Sequence, residues 1–157
     1  MQGRDEEAKK YRAVAEDYAK QWEEMARTGD HYRLAFDQED SWSQKYNLVW
    51  DKLLDLNLFP RSIVETELKY YPQVTKEFGL PLDNRADYTK LDWEVWTATM
   101  ANSREQFDAL MAPVYRFVNE TEPRVPMTDW YFSSDAKRRG FTARSVVGGV
   151  FIKMLEK

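Results

Sequence analysis

Between residues 5 and 27, apolar side chains recur at Tyr11, Val14, Ala15, Tyr18, Ala19, Trp22, Met25 and Ala26, a spacing that follows the α-helical period of about 3.6 residues. A stripe this long defines an amphipathic helix of about six turns, and its apolar face needs other helices to cover it. The stretch "RTGD" closes the helix, and "HYRLAF", residues 31–36, is short and alternating and reads as extended. Four patterns downstream resemble capping boxes: Ser41 with Gln44, Ser62 with Glu65, Thr89 with Asp92, and Ser103 with Gln106. The first predicts a helix to residue 56, buried on most sides through Tyr46, Leu48, Val49, Trp50, Leu53, Leu54 and Leu56. The second predicts a helix with Ile63, Val64, Leu68, Tyr70 and Tyr71 that Pro72 kinks or ends, with Gly79 stopping the element.

The last two boxes predict helices over 90–100 and 104–118, the latter bent at Pro113. Residues 119–141 are irregular, with Pro123, Pro126 and Gly140, and a final helix covers 143–155. Gly148 and Gly149 inside it cost roughly 1 kcal/mol each relative to alanine and so point to close helix packing. The fold expected is all-α with two long loops rich in aromatic and charged residues, which favours an ordered pocket rim over disorder.

Composition removes several function classes. With 27 acidic and 23 basic residues, a net charge of −4 and no basic block, a nucleic-acid partner is not expected. No apolar run reaches the roughly 18 residues of a membrane span, and the start of the chain is charged and helix-like rather than a signal peptide. The absence of cysteine excludes disulfides, thiolate catalysis and cysteine metal sites. The one histidine, His31, follows Gly29-Asp30 in an apparent turn and reads as a surface or loop residue, so Ser-His chemistry has almost no material. No cofactor and no metal are expected.

The densest chemistry lies in "PLDNRADYTKLDWEVW", residues 81–96. If 90–100 is helical, Trp93, Trp96, Thr97 and Met100 share a face, while Asp92 and Glu94 stand about 200° apart and cannot serve one site. The plain reading makes Asp92 a cap with Thr89, the tryptophans core and Glu94 solvated. The sharper one gathers Asp83, Arg85, Lys90 and Asp92 on a polar ligand with a tryptophan as wall. A Thr89-Lys90-Asp92 set would instead suggest a threonine nucleophile, although capping explains Thr89 more simply. "NET" at 119–121 matches a glycosylation acceptor.

Four segments, "SWSQKYNLVWDKLLDLNLFP", "GLPLDNRADYTKLDWEVWTA", "NETEPRVPMTDWY" and "GFTARSVVGGVFIKML", together resemble the C-terminal part of the glutaminase A family, extracellular enzymes of fungi and bacteria. The resemblance implies a helical-hairpin array forming part of a six-hairpin (α/α)6 toroid, with residues 1–157 as its C-terminal portion. It also implies hydrolysis of L-glutamine to L-glutamate and ammonia, and an extracellular or periplasmic location. Six hairpins need about twelve helices, about twice the number predicted here. Either Met1 opens a truncated reading frame, or another polypeptide or a second copy supplies the rest.

Amide hydrolysis needs an activated nucleophile or water, donors for the oxyanion and an acid for ammonia. Without cysteine, Asp92 and then Asp83 are the catalytic candidates. Arg85 would hold a substrate carboxylate and Lys90 would stabilise negative charge, beside Trp93. Asp129 and Trp130 of "TDWY" and Arg144 of "TARSVVGG" would join from the second loop. A glycosidase acting on carbohydrate and a helical fragment without catalysis remain as alternatives.

Overall fold

A computed structural model describes residues 3–156 of the chain, and the charged start expected from the sequence is helical from Asp5, with Asp5, Glu6 and Glu7 in the first turn. Five α-helices follow in order: α1 (Asp5–Ala26), α2 (Val49–Leu53), α3 (Arg61–Val74), α4 (Leu91–Thr99) and α5 (Arg104–Glu120). A 3-10 turn, Tyr46–Leu48, precedes α2, and a 3-10 helix, Ser145–Leu155, ends the order. Two short strands, β1 (Tyr88–Lys90) and β2 (Trp130–Phe132), pair antiparallel in the register Tyr88 to Phe132, Thr89 to Tyr131 and Lys90 to Trp130. The fold is all-α with this one small ribbon.

The central element is α4, which packs against both α5 and the 3-10 helix. Seven of its nine residues are buried: Leu91, Asp92, Glu94, Val95, Thr97, Ala98 and Thr99. A helix buried nearly all round needs partners on several sides, and α4 finds them in two core clusters. One joins Val95 and Met100 to Trp42, Val49, Leu68, Tyr71, Leu80 and Ile152. The other joins Leu91 to Phe78, Val114, Phe117, Tyr131 and Ala136. Each fully buried Val, Ile or Leu in such clusters contributes about 1.5–3 kcal/mol. The third cluster, Ala26, Tyr32 and Ile63, ties the end of α1 to α3.

Only Ala19 and Ala26 of α1 are buried, and Trp22 is half-buried against Tyr32 and Phe59. Tyr11, Val14, Tyr18 and Met25 remain exposed, so most of the predicted stripe has no partner among the described residues.

Several expectations are corrected. Residues 31–36 form turns around one isolated bridge between Tyr32 and Arg27, not an extended segment. Residues 41–45 are irregular and the helix there is only α2, with Val49 its single buried residue; the element buried on most sides is α4. Helix α3 runs through Pro72 to Val74, and Gly79 lies in the loop beyond it. The final helix is 3-10 rather than α.

Of the four capping boxes, one forms. Ser103 accepts from the Gln106 backbone N–H at 3.2 Å, and the Gln106 side chain accepts from Asn102 N at 3.0 Å. The Ser41 hydroxyl instead serves Leu34, Ala35 and Gln38. Pro60 occupies the N-cap of α3, leaving Ser62 inside it. Thr89 belongs to β1, so it does not cap α4 with Asp92.

Candidate functional site

The ribbon brings together two segments far apart in sequence. Leu91 N donates to Asp129 O at 2.9 Å, continuing the pairing of β1 with β2 by one residue. That places the Lys90 and Asp129 side chains side by side. The Asp129 carboxylate is inaccessible to solvent and takes Lys90 Nζ at 3.1 Å. Arg144, at the N-cap of the 3-10 helix, grips the same carboxylate with two prongs, Nε to Oδ1 at 3.0 Å and Nη2 to Oδ2. Burial alone would raise the Asp129 pKa, but the hydrogen bonds and charges of Arg144 and Lys90 outweigh it and hold it below the ordinary range. Lys90 Nζ also lies 4.4 Å above the Trp130 ring, and Trp130 stacks on Phe141.

Asp92 sits beside this knot. It is buried against Gly149, where a Cβ would stand 2.9 Å from the Asp92 Cβ and 3.1 Å from Trp96 Nε1. Trp96 Nε1 donates to Gly149 O at 3.1 Å, fixing the 3-10 helix on α4. The tight contact expected of the paired glycines therefore belongs to Gly149; Gly148 faces open space. Asp92 Oδ1 has no hydrogen-bond partner. Its pKa is raised, first by burial and then by the negative Asp129, with backbone N–H groups and Lys90 offsetting only part. A buried carboxyl with one oxygen unpartnered and its pKa raised holds its proton more readily than an exposed one does.

Glu94 lies in the same turn of α4 and is not solvated, contrary to the plain reading. Its carboxyl is buried against Gly79, whose φ is +154°, and a Cβ on Gly79 would stand 2.8 Å from Glu94 Cδ. Burial drives its pKa well up, opposed by polar contacts with Thr89, Tyr131 and the Leu80 backbone. Thr89 is itself fully buried and accepts from Gln44 Nε2 at 3.2 Å, which removes it as a nucleophile.

The rest of the sequence-derived list lies elsewhere. Asp83, Arg85 and Trp93 line a cleft of about 480 Å³, together with Trp22, Ser43, Lys45 and Tyr46 among others. Asp83 is chelated by Arg85 through Nε at 2.9 Å and Nη2 at 2.7 Å; burial opposes and the arginine favours its charge, and the net pKa is lowered. Trp93 stacks on Tyr46 with ring centres 4.2 Å apart. Lys90, Asp92, Asp129, Trp130 and Arg144 do not line this cleft. Tyr46 links the two regions, because its ring stacks on Trp93 and meets Trp96 edge-on at 6.2 Å, and Trp96 in turn holds Gly149 O beside Asp92. His31 is in a loop as expected, but its ring is mostly covered, stacked on Tyr70 and bonded to Asp30 at 2.8 Å.

The polar residues Ser43, Gln44 and Lys45 of the cleft were missed from sequence. Lys45 Nζ donates to Ser43 Oγ at 2.9 Å, Ser43 O at 3.0 Å and Tyr32 O at 2.8 Å, and stands 4.0 Å from the buried Glu67. The available signal was the alternation S-x-S-x-K: two residues apart, side chains share a face in extended chain but not in the helix predicted there. Gln44, between them, anchors the segment from the other face. Its amide donates to Leu80 O at 2.5 Å, Pro81 O at 3.1 Å and Thr89 Oγ1, and its carbonyl accepts from Thr97 Oγ1 at 3.0 Å.

Among the described residues, no three His, Asp or Glu side chains are grouped to hold a cation, and no helix is long and apolar enough to cross a membrane.

Fold and site together define an all-α chain in which a short ribbon sets a buried acid and two cations beside an aromatic cleft. The chain belongs to the family of the glutaminase A six helical-hairpin domain, whose model it matches over residues 1–154. It is 32% identical over 162 residues to "Glutaminase A" of Aspergillus oryzae, a match covering 98% of this chain and 23% of that protein. It is 30% identical over 181 residues to "Probable glutaminase" of Arthroderma benhamiae, covering 95% of this chain and 21% of that one. The chain thus spans less than a quarter of the length of these curated relatives. No solved structure matches it significantly.

Proposed function

We propose that this chain is part of a glutaminase-like amidohydrolase that converts L-glutamine to L-glutamate and ammonia, working outside the cytoplasm. The observation that carries the reading is the family match over residues 1–154, supported by the likeness to a protein called glutaminase A. In this reading the chain is the C-terminal portion of a six-hairpin toroid. The uncovered face of α1, with Tyr11, Val14, Tyr18 and Met25, fits packing against the rest of that domain, whether upstream sequence or a second copy. Asp92, which does not line the cleft of Asp83 and Trp93, serves as the proton-transferring carboxyl where the rest of the domain brings substrate to the cluster of Lys90, Asp129 and Arg144. Asp83, Arg85 and Trp93 form part of the substrate cleft, where an amino-acid carboxylate would exchange with Asp83 for the Arg85 fork.

Ammonia release from L-glutamine, measured on this chain alone and on the full-length polypeptide carrying it, tests the reading. Activity is expected in the full-length polypeptide only. Asp92→Asn there should lower turnover about 10²–10⁴-fold with the circular dichroism unchanged. Retained turnover with lowered stability would make Asp92 structural, and no ammonia from either protein would overturn the substrate assignment.

A carbohydrate substrate ranks second. The stacked Tyr46 and Trp93 would suit a sugar ring. Against it, Asp83 is the one carboxylate lining the cleft among the described residues, whereas glycosidases generally use a pair.

A further inference from the structure

The cleft, which Asp92 does not line, holds a group of its own that can move protons in place of that carboxyl. Ser43 is partly accessible and extended, bridged to Asp83 across the cleft's edge, and its hydroxyl lies 2.9 Å from Lys45 Nζ. We propose that Ser43 is a nucleophile activated by Lys45, a serine–lysine pair that attacks the side-chain amide of the substrate. The inference rests on the amidohydrolase reading for its substrate, though not for the reactivity of the serine.

Three features of the lysine carry it. The first is hydrogen-bond arithmetic. A neutral amine has two N–H donors and one lone pair, and around Nζ stand two carbonyls, Tyr32 O and Ser43 O, and one hydroxyl that can donate. The charged form has three donors, and the same three oxygens accept them. The shell therefore satisfies both protonation states, as a base that cycles between them requires. Second, Lys45 is largely withdrawn from solvent and burial lowers its pKa, the usual route to a lysine that works as a base. Third, the acid that would hold it charged, Glu67, is 4.0 Å away and wholly buried, with Oε2 lacking a partner and its own pKa raised by burial. Such a pair can hold one proton between them rather than stand as a fixed ion pair.

The chemistry balances with no further reactant than water. Ser43 Oγ bonds to the amide carbon while its proton passes to Lys45 Nζ. Lys45 returns that proton to the leaving nitrogen as the C–N bond breaks, releasing ammonia and leaving a γ-glutamyl ester on Ser43. Water then adds to the ester carbon, giving a proton to Lys45. The bond to Ser43 Oγ breaks, the proton returns to that oxygen, and glutamate departs.

The test uses the full-length polypeptide carrying this chain, wild type and Ser43→Ala, the variant removing one side-chain oxygen. A fluorophosphonate, which reacts with activated serines whatever their substrate, is followed by peptide mapping, and glutamine turnover is measured in parallel. The expected result is label on Ser43 in the wild type and turnover lowered at least about 10⁴-fold in Ser43→Ala, with the circular dichroism unchanged. Label on Ser43 without glutamine turnover would uphold the nucleophile and overturn the substrate reading. Absence of label at Ser43, or turnover in Ser43→Ala within about tenfold of wild type, would overturn the nucleophile and leave the glutaminase reading standing.

Discussion

Glu94 and Asp129 are both sealed from solvent beside the first turn of α4, yet their surroundings push them in opposite directions. Asp129 faces Lys90 and Arg144, and its pKa is lowered despite burial. Glu94 faces Gly79, Thr89 and Tyr131, with no cation beside it among the described residues, and burial raises its pKa. Burial sets the cost of a charge in both places; the presence of a cation decides whether the charge survives it. Asp92 is intermediate, near cations that are already engaged by a better-placed acid, and its pKa rises.

Each unpaired acid also lies against a glycine, Glu94 on Gly79 and Asp92 on Gly149. Gly79→Ala should have the largest effect, about 4 kcal/mol of destabilisation, because the new Cβ strikes the Glu94 carboxyl and the φ of +154° is strained for any side chain. Chemical denaturation would measure it, and a loss under 1 kcal/mol would mean that Glu94 can swing away.

Asp129→Asn should cost about 3 kcal/mol at neutral pH, the low end for a broken buried pair because Arg144 is 36% exposed and can turn to water. The lowered pKa fixes the sign with pH. The stability due to Asp129 is present above its unfolded pKa, about 3.9, and is lost as pH falls through the lowered folded value. Thermal melts at descending pH should therefore show wild type and variant converging.

Gly149→Ala should cost about 2 kcal/mol against Asp92 and Trp96, whereas Gly148→Ala, with nothing within 4 Å, should be neutral or stabilise by up to about 1 kcal/mol. Equal effects in the same denaturation series would remove the contact from the explanation.

Glu94→Gln should change stability least, within about 1 kcal/mol at pH 4, because it replaces a protonated acid by a neutral amide of like shape. Here the sign is reversed. The stability associated with neutral Glu94 is present below its unfolded pKa, about 4.3, and is lost as pH rises through the raised folded value. The variant should gain on wild type as melts are taken toward alkaline pH; parallel curves would show that Glu94 keeps its charge.

The same contrast governs what could be read from the sequence. Helical periodicity located α1, and box-like starts located α4 and α5, because both signals are carried within one element. The opposition of Asp92 and Glu94 followed from the helical angle, and the two acids do lie against different glycines. Capping patterns fared worse, since Ser-x-x-Gln and Thr-x-x-Asp do not reveal that a loop already claims the Ser41 hydroxyl or that Thr89 belongs to a strand. The β1–β2 ribbon was invisible for a related reason. Its two three-residue strands are too short to show a period of two, and their pairing depends on partners about 40 residues apart. The approach of Lys90 and Arg144 to Asp129 depends on that pairing. Ser43 and Lys45 were hidden by extending a helix over residues that are irregular.

The parallel stack of Tyr46 on Trp93 gives the cleft an optical consequence. Of the six tryptophans in the chain, Trp93 and Trp22 both line the cleft and both stack on a tyrosine, Trp93 on Tyr46 with ring centres 4.2 Å apart and Trp22 on Tyr32 at 5.3 Å. Ligand entry that displaces water from that wall changes the polarity around the indole, and so the colour and intensity of its emission. The difference between wild type and Trp93→Phe then isolates that signal, giving a titration of the cleft that needs neither turnover nor a labelled ligand.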